Sequence, residues 1–201
     1  MKKVILAAIA VFAFSSANAQ EVKEAKGEGF AKGDLFVTGA VSFESTNDKN
    51  NEVKTNYFEI APQVNYFVTE NITVGAKIGF TSEKTEVLGS DDQDDSSVSF
   101  GLAGRYYFTP ASKFSLFGQL SAEYVTMKDN LSTPEFKVNG FGAGLGLGLN
   151  YFVSSNFSLE AGLAVLEFAS AKADVEGAKN VSGFNFGGDL RAVSIGVNYK
   201  F

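Results

Sequence analysis

The chain has 201 residues, enough for one domain, and it contains neither cysteine nor histidine. Disulfide bonds, thiolate metal sites, His-ligated zinc sites and Ser-His-Asp triads are therefore excluded. The formal net charge of −6 argues against nucleic-acid binding, which needs a basic surface.

A secretory signal peptide is predicted for residues 1–19. Two lysines precede an apolar run at residues 4–14, and a small-x-small site places cleavage between Ala19 and Gln20. The run is too short to cross a bilayer as a helix, which takes about 20 apolar residues. We therefore expect an exported protein.

Eight amphipathic strands are predicted within residues 34–201, which form one folded domain. Bulky residues alternate there with small or polar residues at the period of two that strands require. In chain order the predicted strands span residues 34–45, 54–67, 72–82, 96–108, 113–127, 136–153, 156–169 and 184–201. Pro62 lies inside the second strand, where we expect a bulge or an unpaired hydrogen-bond donor. Residues 20–33 are polar and glycine-rich, and we expect a loose, flexible leader.

The connections between the predicted strands alternate in length. Those after the even strands have about four residues or fewer, whereas those after the odd strands have about eight to fourteen polar residues. Short turns at one end and long loops at the other are typical of outer-membrane barrels.

The even strands end in similar aromatic segments, all at the short-turn end. The hairpins recur about every 41 to 48 residues, so these aromatic residues are expected at one level of the bulky face. We predict an aromatic girdle at a membrane interface. Its predicted members are Tyr66, Tyr106, Tyr151, Tyr199 and Phe201.

Alternation alone does not decide which face of the strands is inside. The second face is mostly Gly, Ala, Ser and Thr, which suits the tight interior of a closed eight-stranded barrel. A soluble barrel would expose a face rich in charged residues. We therefore predict an all-β fold, an eight-stranded antiparallel up-and-down transmembrane β-barrel. A soluble periplasmic ligand-binding barrel is the alternative.

In that orientation six charged side chains point into the lumen, and we predict an ion-pair network because a buried charge needs a partner. They are Glu44, Glu59, Lys77, Arg105, Glu123 and Glu160. Eight strands leave room for side chains only, so a filled lumen is expected and a narrow gated ion path is the alternative. The sixth strand has glycine at every second position, which is expected to give clearance to large inward groups such as Phe117 and Arg105.

Residues 34–201 resemble the small eight-stranded outer-membrane barrels of the outer membrane protein X type and of the membrane domain of outer membrane protein A. The resemblance is based on the strand count, the loop asymmetry, the signal peptide and the bulky alternation of the last strand. That alternation consists of Val193, Ile195, Val197, Tyr199 and Phe201.

The resemblance implies a place in the outer membrane of a Gram-negative bacterium, among its lipid and lipopolysaccharide. It also implies that Val197, Tyr199 and Phe201 form the signal that the barrel-assembly machinery recognises during insertion. We expect a non-enzymatic protein without metal or other cofactor, which stabilises the envelope and presents polar loops to a surface partner of undefined identity. A low-conductance pore is the alternative.

Overall fold

The structure is a computed structural model, and it describes residues 27–39, 41–49, 52–87, 89, 92–129, 136–188 and 193–201. The predicted cleavage site between Ala19 and Gln20 lies outside these residues.

Eleven β-segments form the described part of the chain. They are β1 (Leu35–Gly39), β2 (Val41–Asp48), β3 (Val53–Ile60), β4 (Gln63–Phe67), β5 (Ile72–Val87), β6 (Gln93–Tyr107), β7 (Phe114–Asp129), β8 (Phe136–Phe152), β9 (Phe157–Ala173), β10 (Val181–Phe186) and β11 (Ser194–Lys200). They correspond to the eight predicted strands, because β1 and β2 belong to the first, β3 and β4 to the second, and β10 and β11 to the eighth. Within the described ranges, no helix has the length and hydropathy needed to cross a membrane.

The interruption of the second strand lies at Ala61 and Pro62, between β3 and β4. Proline has no backbone N–H to donate to a neighbouring strand. The Pro62 carbonyl still accepts a hydrogen bond from the N–H of Ile78 at 3.1 Å, and both β3 and β4 pair with β5. The register is unchanged across this break, because Ile60 pairs with Phe80 and Gln63 with Lys77. The expectation of a bulge or an unpaired donor at Pro62 is therefore wrong, and the proline interrupts only the ladder hydrogen bonds.

Antiparallel pairing closes the segments into a ring. Its order is β1, β4, β5, β6, β7, β8, β9, β11 and back to β1. The last strand closes the ring on the first, with Phe36 opposite Lys200 and Gly39 opposite Val197. At the loop end, β2 continues on β3 and β10 on β9, and no pairing joins β2 to β10 among the described residues. The strands run further there than predicted, since β5 ends at Val87 and β6 begins at Gln93, so the connections predicted at about eight to fourteen residues are shorter. The fold is the predicted eight-stranded antiparallel barrel.

The outer surface of the barrel carries an apolar band. The outward apolar stretch runs from Ile72 to Phe80 on β5 and from Phe141 to Tyr151 on β8, and Leu102 and Leu120 are 70% and 62% exposed. A strand crosses the hydrocarbon core with about nine to eleven residues. The apolar stretches therefore match the thickness of a bilayer.

A bulge in β9 changes which of its residues face the lumen. Opposite β8, Leu145 pairs with Leu166 and Gly146 pairs with Ala164, so Val165 is the extra residue. Beyond the bulge the alternation is reversed, which turns Glu167 into the lumen. The alternation with a period of two that was predicted for the strand at residues 156–169 is therefore wrong beyond Val165.

Candidate functional site in the barrel interior

Six aromatic side chains pack together inside the turn end of the barrel. They are Phe30, Phe36, Phe67, Tyr107, Phe117 and Phe152, and none is more than 4% exposed. The Phe30 ring centroid lies 4.6 Å from that of Phe36 and 4.7 Å from that of Phe152. It lies 5.0 Å from that of Phe67 and 5.4 Å from that of Tyr107. These four rings come from β1, β8, β4 and β6, so Phe30 lies close to the barrel axis.

The position of Phe30 corrects the expectation of a loose leader for residues 28–33, and residues 20–26 lie outside the described residues. Its backbone N–H donates to the Pro110 carbonyl at 2.7 Å, and its side chain is 2% exposed. The segment is polar apart from a few small residues and this one aromatic ring. A lone ring in a polar leader gives no periodic pattern, so sequence reasoning assigned it no role.

Arg105 and Glu160 form a buried, bidentate ion pair on the loop side of this aromatic layer. Arg105 Nη1 donates to Glu160 Oε2 at 2.9 Å and Nη2 donates to Oε1 at 3.2 Å. Arg105 Nε also donates to Gln119 at 2.6 Å, and Asn198 donates to Glu160 at 3.0 Å. The guanidinium lies 4.7 Å from the centroid of the Phe117 ring. The side chains of Arg105 and Glu160 are only 4% and 12% exposed, so each charge depends on the other.

Lys77 and Glu123 form the second ion pair of the lumen, closer to the loops. Their strands, β5 and β7, flank β6, and Gly101 of β6 lies between them in the pairing register. Because Gly101 has no side chain, the lysine and the carboxylate meet across it. Their side chains are 30% and 33% exposed, so water reaches this layer.

The other two predicted lumen carboxylates lie nearer the loop end. Glu59 accepts a hydrogen bond from the Tyr57 hydroxyl at 2.9 Å, and the exposed Glu44 accepts one from Thr46 at 3.3 Å. The single network predicted for six charged residues is therefore wrong in extent: two ion pairs form, and two carboxylates bond to hydroxyl groups. Solvent near the loop end stabilises such carboxylates without a basic partner.

Two adjoining cavities lie on the loop side of the Arg105 layer, with volumes of about 290 and 480 Å³. Ser121, Gly144 and Glu167 line both of them. The missing side chains of the glycine row leave this space open. Glu167 was not predicted as a lumen residue, because the bulge that turns it inward has no signal in the alternation.

Glycine clearance is confirmed most clearly at Gly148. A Cβ atom there would collide with the Phe117 ring, which lies directly over the glycine. In contrast, a Cβ atom at Gly142 in the same row would meet its nearest neighbour, the Phe168 carbonyl oxygen, at 3.6 Å. The glycine row of β8 therefore makes room for the Phe117 ring at Gly148 and leaves cavity space near Gly142.

We expect Gly148→Ala to destabilise the barrel by about 1–3 kcal/mol, the usual cost of overpacking. Gly142→Ala is the matched control, and its effect should be small. Urea unfolding in lipid vesicles, followed by gel mobility, measures both. Adding Phe117→Leu should relieve most of the Gly148→Ala penalty, and an equal penalty in both backgrounds would contradict the proposed clash.

The predicted girdle residues lie on the outer face at the turn end. Tyr66, Tyr106 and Tyr151 are 46%, 49% and 44% exposed. The Tyr199 ring lies 4.9 Å from the Phe201 ring, centroid to centroid. These five residues are thus placed where an interface with lipid headgroups would be.

A second aromatic level at the loop end was missed by sequence reasoning. Each of the eight spanning strands contributes one outward ring to it, and several of these rings are opposite each other in the pairing register. They are Phe43, Phe58, Phe80, Phe100, Tyr124, Phe141, Phe168 and Phe184. The available signal was that each is the last aromatic residue on the outward face before its strand becomes polar. Aromatic girdles at both interfaces are typical of outer-membrane barrels.

Comparison with known proteins gives a family and a fold. Residues 5–201 match the family model described as outer membrane protein beta-barrel domain. The outer membrane protein OprG from Pseudomonas aeruginosa is similar in structure, with a TM-score of 0.53 and 16% identity over 87% of this chain and 98% of that one. A major outer membrane protein from Thermus thermophilus gives a TM-score of 0.50 and 13% identity over 84% of this chain and 98% of that one. No curated protein sequence matches the chain significantly.

Proposed function

Because the chain belongs to the outer membrane protein β-barrel domain family and lies in the outer membrane of a Gram-negative bacterium, we propose that it is a non-enzymatic envelope protein with a filled lumen. The observation that supports this most strongly is the aromatic layer at the turn end. Phe30 and the four rings around it are at most 2% exposed. An apolar layer without room for water is a barrier to ions.

The Arg105–Glu160 pair fills part of the lumen beside the aromatic layer. Its hydrogen bonds to Gln119, Tyr107 and Asn198 occupy donors and acceptors that could otherwise bind water or ions. A half-satisfied polar interior would be worse than an apolar one. The nearly complete pairing here supports a structural role for the lumen.

The loop end is the proposed surface for partners outside the cell. On β5 the polar stretch begins after Phe80, so Lys84 lies beyond the apolar band. Lys84 lies 2.9 Å from Glu86 and 3.0 Å from Asp92, and hydrogen bonds to these carboxylates raise the pKa of Lys84 above its ordinary value. We propose that a surface partner binds at this charged rim, next to the lipopolysaccharide that surrounds the loop-end aromatic level.

A low-conductance pore is the second candidate, and the hydrated Lys77–Glu123 layer favours it. The lumen is open to water from the loop end down to the cavities above Arg105. Only the packed side chains at the turn end then separate the two sides of the membrane.

Single-channel recording on the purified protein in planar bilayers distinguishes the two candidates. The filled-lumen proposal predicts no steady conductance from the wild-type protein. Steady wild-type conductance that changes with Arg105→Ala would contradict it and favour the pore. Phe114→Ala, which removes a lipid-facing ring of the same end, is the control for nonspecific leakage.

A further inference from the structure

Residues 28–34, here called the strap, enter the turn-end mouth of the barrel from outside the ring of strands. The strap places Phe30 on the barrel axis, between rings from four different strands. The lumen is therefore closed at this end by a segment that precedes β1, and not by a strand side chain alone.

The strap is held by a small set of contacts at the mouth. The Gly33 N–H donates to the Phe67 carbonyl at 2.9 Å, and the Phe30 N–H donates to the Pro110 carbonyl. Glu28 pairs with Lys113 at 2.8 Å, and both side chains are largely exposed, at 39% and 44%. The Lys200 ammonium donates to the Gly29 carbonyl. Exposed ion pairs contribute little, about 0–1 kcal/mol, so the Phe30 ring is the main anchor.

Gly33 and Asp34 continue the pairing of β1 with β4, because the Phe67 N–H also donates to the Asp34 carbonyl at 3.0 Å. The contacts of residues 28–32 lie outside the hydrogen-bonded ring of the barrel. Residues 28–32 of the strap, which include Phe30, can therefore leave the mouth without breaking an inter-strand pair. We propose that the strap is a displaceable plug, and that the barrel conducts small cations when Phe30 is out of the mouth. This proposal rests on the proposed function, because it requires the intact lumen to be closed.

The charge of the lumen determines which ions would pass. Among the described residues named above, five carboxylates face the interior above the mouth, against Lys77 and Arg105, and the buried Lys200 ammonium lies at the mouth itself. The carboxylates are Glu44, Glu59, Glu123, Glu160 and Glu167. An excess of carboxylates along a narrow path favours cations.

Gly29 gives a way to unseat the strap without removing Phe30. Its φ is +139°, a conformation that other residues rarely adopt, and a Cβ atom would lie 2.6 Å from the backbone of Ala111. Gly29→Ala must therefore move the strap away from the Ala111 turn. If the strap is the plug, this variant should behave like Phe30→Ala.

The test is single-channel recording on the full-length mature protein, comparing wild type, Phe30→Ala, Gly29→Ala and the lipid-facing control Phe114→Ala. We expect both strap variants to raise the open probability at least tenfold, since tenfold corresponds to only about 1.4 kcal/mol. In a potassium chloride gradient their reversal potential should shift toward that of potassium. The wild type and the control should stay closed, and all four should keep the mobility shift of a folded barrel on unboiled gels.

A labelling measurement gives an independent readout of the plug. Ser115 faces the interior of the turn end and is 0% exposed, and the chain has no cysteine of its own. A charged, membrane-impermeant thiol reagent should modify Ser115→Cys at least about tenfold faster when Phe30→Ala is also present. Closed strap variants with unchanged labelling would overturn the proposal and leave the filled lumen intact. Steady wild-type conductance would instead overturn the filled lumen.

Discussion

Arg105→Ala is expected to destabilise the folded barrel by about 3–5 kcal/mol, the cost of removing one partner from a buried ion pair. The substitution leaves Glu160 in the lumen with an uncompensated charge and only 12% of its side chain exposed. It also removes the donors to Gln119 and Tyr107. Chemical unfolding of the refolded protein in lipid vesicles, followed by gel mobility, measures the loss.

Two further variants separate this effect from a general loss of charge. Lys77→Ala breaks the hydrated pair with Glu123, and we expect a cost of about 1 kcal/mol or less, as for solvent-exposed pairs. Replacing both partners, Arg105→Met with Glu160→Leu, should restore much of the stability, because no buried charge is then left unpaired. An Arg105→Ala loss no larger than that of Lys77→Ala would contradict the assignment of Arg105–Glu160 as the main ion pair of the lumen.

Phe201→Asp is expected to lower the yield of protein in the outer membrane by more than any lumen substitution. Phe201 lies at the turn-end girdle, where a charged residue facing lipid costs only about 0–1 kcal/mol. That cost corresponds to at most about a fivefold change in the folded fraction. We expect the yield in the outer membrane to fall on the order of tenfold, which is more than this stability cost would cause. The reason is that Val197, Tyr199 and Phe201 are proposed to be the signal for the barrel-assembly machinery.

Tyr151→Asp is the matched control for Phe201→Asp. Tyr151 lies on the same outer face at the same end of the barrel, but on β8 and not on the last strand. Quantitative immunoblotting of membrane fractions from cells expressing each variant gives the yields. Equal yields for the two variants, or unchanged insertion of a chain lacking Phe201, would refute the assembly role and leave the fold unaffected.

The assignment of side chains to the two faces could be predicted from the sequence because a strand has a fixed period of two. Val74 and Leu147 are exposed on the outside, and Asn65 and Asn150 are buried inside, as the alternation requires. The break at Pro62 has a similarly local reason, the missing N–H, but the expected bulge does not form there. The soluble alternative is wrong, because the family is one of outer-membrane barrels and the exposed face of the barrel is apolar.

Three features could not be predicted, because each depends on contacts between distant parts of the chain. The partner of Arg105 is decided by the stagger of β6 against β9, which no single strand reveals. The bulge at Val165 inserts one residue between apolar neighbours that fit either face. The burial of Phe30 depends on four rings that meet only when the barrel has closed.

Accessibility of spin labels along β7 shows whether the bulky face of the barrel meets lipid while the small-residue face lines a filled lumen. The chain has no cysteine, so single-cysteine variants at Ser115, Leu116, Leu120 and Ser121 each carry one label. The structure predicts that labels at Leu116 and Leu120 collide with oxygen, which concentrates in lipid, and that labels at Ser115 and Ser121 do so far less. Preferential oxygen collisions at Ser115 and Ser121, or no alternation along the strand, would contradict the account.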